Sequence, residues 1–121
     1  MRSGAQTYRT VARQTSNPRE LEATLLLQAA ARLQSVHDSW DNDKARLDDA
    51  LLYNRKLWSV FLGEMTDAHN PMPRDIRQNV ANLGLFVMNH TMALLSNPRP
   101  EQLGPLININ REVAAGLLGQ T

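Results

Sequence analysis

Two Asn-Arg pairs, Asn54-Arg55 and Asn110-Arg111, are the groups in this 121-residue chain whose type and setting most invite a chemical reading. Each joins an amide, which both donates and accepts hydrogen bonds, to a guanidinium whose fixed fork suits carboxylates and backbone carbonyls. Each also interrupts an apolar stripe, "LLYNRKLWSVF" in one case and "ININREVA" in the other. A buried amide left unsatisfied costs roughly 1–3 kcal/mol. Asn54 therefore either bonds across a helix bundle and fixes its register, as a core asparagine does in coiled coils, or faces a groove that a partner fills. Arg55, one step round the helix, need not share that burial and is free to cap carbonyls or reach a carboxylate. Asn110 and Arg111 are candidate counterparts.

Other chemistries find less support. His37, His69 and His90 share no metal-ligand spacing and no local partner that would complete a catalytic set. "DNDKARLDDALL" places Asp41 and Asp43 two apart, as in a calcium loop, but Ala45, Arg46 and Leu52 stand where that loop needs a ligand, its glycine and its bidentate carboxylate. "NHT" at residues 89–91 fits a glycosylation sequon inside a predicted helix and is discounted. No phosphate-cradling glycine loop or nucleophile elbow is present, so no catalytic residue, cofactor or metal is expected. Gly84 lies in mid-helix, where glycine costs about 1 kcal/mol relative to alanine and implies close approach of another helix, or of a partner's backbone. Met65, Met72, Met88 and Met92 read as core filler or as an adaptable binding surface.

These residues must be carried by helices. Aromatics make up only 5% of a Leu-, Ala- and Arg-rich composition, without clusters of β-branched residues. "SNPRELEATLL" gives Asn17 as N-cap, Pro18 at the first helical position and Glu20 three residues after the cap, so a helix is predicted from Pro18 to about His37. Its inner stripe is Leu21, Leu25, Ala29, Leu33 and Val36, with Leu26, Ala30 and Trp40 alongside, and Arg19, Glu22, Gln28 and Arg32 are expected to face water. A second helix starts near Asp43 and ends near Thr66, with Leu47, Leu51, Asn54, Trp58, Phe61 and Met65 in line. Pro73 begins a third, reaching about Leu95, with Ile76, Val80, Leu83, Val87, His90 and Leu94 on one seam and Ala81, Leu85, Met88, Met92 and Leu95 beside it. Such breadth predicts burial by more than one neighbour. The last helix runs from about Gln102 to Leu118.

The result is an all-α fold, a compact antiparallel bundle of four main helices (18–121) preceded by a short helical arm (1–17) with Tyr8, Val11 and Ala12 on one side. The formal net charge is +1, with charges of both signs dispersed, which disfavours direct nucleic-acid binding. Cysteine is absent. No run approaches the roughly 18 apolar residues of a membrane span, and no apolar signal core precedes the first helix. A cytoplasmic protein without membrane contact is the expectation.

The motifs "NRKLWSVFLGEM", "MPRDIRQNVANLGLFVMNHTM" and "LININREVAAGLL", with "NPRELEATLL" upstream, resemble the flagellar biosynthesis regulator FlaF family of alphaproteobacteria over nearly the whole chain. The likeness rests on Asn54, Arg55, Leu57 and Trp58, then Pro73, Arg77 and Gly84, then Asn110 and Arg111; Phe86 stands where the family often has tryptophan. The resemblance implies a small non-enzyme needed for flagellin production and secretion, with flagellin as its partner and a functional link to the regulator FlbT. Asn54, Arg55, Trp58, Gly84, Phe86, Asn110 and Arg111 are then the motif residues, partner-binding or structural. A helical bundle with apolar excess suits docking of another chain's amphipathic helix in a groove. The alternative is an adaptor that regulates flagellin translation with FlbT without holding flagellin.

Overall fold

The computed structural model describes residues 18–40 and 43–119, and the expected arm at 1–17 lies outside them. Among the described residues there are four α-helices and no strand: α1 (Pro18–Asp38), α2 (Lys44–Met65), α3 (Arg74–Ser96) and α4 (Leu103–Leu117), the last entered through a 3₁₀ turn at Pro100–Gln102. The starts follow local chemistry. Pro18 opens α1, and Asp43 caps α2 by accepting from the Arg46 amide at 3.2 Å. Pro73 takes the N-cap position of α3 rather than its first helical turn, and has no side chain able to accept a bond. The α2 end is closed by Thr66, whose amide and hydroxyl both bond the Leu62 carbonyl.

The connection from α2 to α3 is held by side chains standing in for ladder bonds. Asn70 donates to the Glu64 carbonyl and accepts from the Met72 amide, while Arg77 reaches back from α3 to the carbonyls of Met72 and Asp67, each at 3.0 Å. Arg77 therefore acts as a clamp on the turn.

Helix α1 is the hub. It packs against α4 and α2; α3 packs mainly on α2 and meets α4 only loosely. One apolar core joins all four, with Leu33, Leu51, Trp58, Val87, Leu103 and Leu106 fully buried. The α2 stripe falls as its spacing predicts, with all six in-line residues buried.

Two expectations fail. Glu22 is buried, not solvated, because α1 is covered on two sides and Glu22 falls where α2 lies against it, beside Leu26, Leu57 and Phe61. On α3 the buried line is Val80, Gly84, Val87, Thr91 and Leu94. Ile76 and Leu83 are exposed and His90 is only half-buried, while Leu85 and Met92 stand out at 59% and 54% exposure. Among the described helices, the broad apolar surface of α3 thus has one close neighbour where more than one was expected. The glycine explains the choice of face, since its bare backbone lets α2 approach nearest there.

Candidate functional site

Asn54 and Trp58 sit one turn apart on α2, and Asn110 faces them from α4. The Trp58 indole Nε1–H donates to Asn110 Oδ1 at 2.9 Å. Asn110 Nδ2 in turn donates to Asn54 Oδ1 at 2.7 Å and to the Leu26 carbonyl of α1 at 3.2 Å. All three side chains have zero exposure. The chain of bonds thus ties α1, α2 and α4 with one directional node. Phe61 meets the Trp58 ring edge-on, centroids 5.4 Å apart, and α3 closes the remaining side through Gly84. A Cβ built on Gly84 would stand 2.5 Å from Leu62 Cδ2 and 3.1 Å from Trp58 Cε3, which is the close approach that mid-helix glycine implies.

The two asparagines are not equivalent. Asn110 uses both its acceptor and its donor. Asn54 uses only its acceptor, and among the described residues its buried Nδ2 has no partner. The two motif arginines take no part. Arg55 is exposed, and Arg111, also exposed, makes one long contact of 3.4 Å to Gln34 Oε1. Each Asn-Arg pair is therefore divided by the helix surface, with the amide inward and the guanidinium outward. The structure brings together Asn54, Trp58, Gly84 and Asn110; it leaves Arg55, Phe86 and Arg111 on the outside.

Phe86 belongs to a different surface. It is exposed and stacks on His90 with ring planes 16° apart, and His90 Nε2–H donates to the Gln102 carbonyl at 2.7 Å, pinning the corner between α3 and α4. Ile76, Leu83, Leu85, Phe86 and Met92 are five of the eight exposed large hydrophobic side chains among the described residues, and all lie on α3. Scattered apolar residues on a surface are ordinary; Leu85 and Met92, seven residues apart, share one side of α3 with Phe86 one step round, and these three mark a candidate interaction surface. Of the methionines among the described residues, Met65 is core, Met72 and Met88 are half-buried, and Met92 belongs to this surface.

Two features were not anticipated from sequence. Glu22 has a side chain only 1% exposed; its Oε1 pairs with Arg19 Nη1 at 2.7 Å, and among the described residues its Oε2 has no partner. Burial pushes its carboxyl up to about 7, Arg19 opposing and Glu64 adding to the shift. The available signal was its position one turn before Leu25 and Leu26 and one turn after Arg19. The second is a cavity of about 270 Å³ at the opposite end, with Val36, Trp40, Leu47 and Pro98 as apolar walls and Asp43, Lys44 and Arg46 at its rim.

No converging metal-ligand set of His, Asp or Glu exists among the described residues, and none of their helices is long and apolar enough to cross a membrane. His37 lies exposed beside Asp38, and His69 is exposed in the α2–α3 turn. In comparison with known proteins, the family model described as flagellar protein FlaF matches residues 4–117. No curated protein and no solved structure matches.

Proposed function

Because the chain belongs to the flagellar protein FlaF family, we propose that it serves flagellum biogenesis as a flagellin-binding export chaperone and regulator, holding an amphipathic flagellin helix on the outer side of α3. The observation that carries this reading is the placement of exposed apolar bulk. The buried node around Trp58 is internally engaged and closed to a partner, whereas Leu85, Phe86 and Met92 face outward on a helix whose contact with α4 is loose. Their apolar area would gain from burial at roughly 25 cal/mol per Å². An amphipathic helix laying its apolar side along such a surface needs no charge match, consistent with the dispersed charge of this chain. Flagellin is the partner that the family resemblance implies.

Co-expression with flagellin, followed by size-exclusion chromatography and calorimetry on the purified pair, tests the proposal. A stoichiometric complex with weak salt dependence is expected, and Leu85→Ser combined with Met92→Ser should weaken it at least tenfold while leaving the melting temperature in place. No detectable complex, with flagellin synthesis still responding to this protein, would replace this reading with that of an adaptor acting through FlbT.

A further inference from the structure

Along the outer side of α3, amide and apolar side chains follow one another in a regular order. Gln78, Asn82, Leu85, Asn89, Met92 and Ser96 are spaced alternately four and three residues apart, and all six are exposed. That spacing keeps them on one line, opposite the buried line that runs through Gly84 and Thr91. It is the spacing of a seam that a second helix can follow, with Leu85 and Met92 at one heptad position and Asn82 and Asn89 at the other. No Asp, Glu, Lys or Arg occurs between Arg77 and Arg99, so a charged residue on an approaching helix finds no counter-charge along this stretch of α3.

Asn89 lies four residues after Leu85 and three before Met92, so a helix that covers both apolar side chains covers the amide as well. In the free molecule that amide is exposed to water. Asn82 differs, since its Oδ1 already accepts from Gln78 Nε2 at 2.9 Å. An amide taken out of water without a new partner lowers affinity by roughly tenfold or more. Resting on the outer side of α3 as the docking surface, we infer that it selects a partner helix with an uncharged seam, carrying an amide or hydroxyl side chain opposite Asn89 and apolar side chains opposite Leu85 and Met92. A wholly apolar helix leaves Asn89 unsatisfied, and a charged one buries an ion against a lone amide. The apolar pair supplies the attraction, and Asn89 sets the register and the choice of partner, as a seam asparagine does in coiled coils.

Calorimetry on the complex with flagellin separates the register from the docking itself. Asn89→Leu enlarges the apolar surface, so a seam read by apolar contact alone would bind more tightly. A seam that pairs polar groups should bind at least about tenfold more weakly, because the partner's amide or hydroxyl is then buried unpaired. Asn89→Ala, which adds no bulk, should weaken binding in the same direction. Both variants should melt with wild type, since Asn89 is exposed. Unchanged or tighter binding by Asn89→Leu, with Leu85→Ser and Met92→Ser together still weakening the complex, would overturn the register and leave the docking surface standing. Absence of a complex, or a complex indifferent to all of these substitutions, would overturn both. A second copy of α3 presents the same pattern, and sedimentation of the free chain reads that case: a dimer lost in Asn89→Asp would assign the seam to self-association and overturn the inference.

Discussion

Gly84 and Thr91 of α3 are buried against the bundle, whereas Leu85 and Met92, the next residue in each case, are the two most exposed large hydrophobic side chains described. On the inner side a residue with no side chain is placed so that Trp58 and Leu62 of α2 can approach, and the Thr91 hydroxyl returns its bond to the Val87 carbonyl at 2.6 Å. On the outer side, leucine and methionine touch little of the fold. The contrast teaches that apolarity on this helix does not report burial. Shape and hydrogen bonding select the inner side, and the outer side carries hydrophobic bulk that folding does not use.

Substitutions on the two sides should separate by size of effect. Trp58→Ala removes the largest buried ring, its bond to Asn110 and its contact with Phe61, and should lower stability by roughly 3–5 kcal/mol in denaturant titration. A smaller loss would show that the node is not the centre of the core. Asn110→Leu orphans both the Trp58 indole N–H and Asn54 Oδ1, so a cost of about 3 kcal/mol is expected. Asn54→Leu removes an amide whose donor is already unpartnered, and should change stability by less than about 1 kcal/mol. Equal effects of the two asparagine substitutions would contradict the asymmetry of the node.

Gly84→Ala falls between the two asparagine substitutions. The helix gains about 1 kcal/mol of intrinsic preference. The new methyl must, however, displace the Leu62 tip and press on the rigid Trp58 ring. A net loss of roughly 1–2 kcal/mol is expected from such overpacking, checked by thermal melting. Phe86→Ser should sit at the small end, within about 0.5 kcal/mol of wild type, since the ring is exposed and stacks on His90. A large destabilisation there would return the outer side of α3 to a structural role.

Much of this was legible in the residues. The four helices, their starts at Pro18 and Asp43, and the whole inward line of α2 follow from spacing and capping chemistry, which act within a few residues. The question raised by Asn54 and Asn110 was legible as a requirement for partners, because a buried amide must be satisfied wherever it is. Their identity as partners of one another and of Trp58 was not, since more than fifty residues separate Asn54 from Asn110 and no local rule pairs them.

The fate of Glu22 and of the outer side of α3 was decided at the tertiary level. A glutamate among leucines reads as a solvated flank until a second helix is laid over it, and a leucine at helical spacing reads as core until no helix arrives. Sequence alone set which segments coil, where they begin and which stripe each would offer, because those depend on neighbours three and four residues away. Which of the offered stripes were taken depended on the number and order of helices competing for a finite core. Among the described helices α1 is covered on two sides and α3 closely on one.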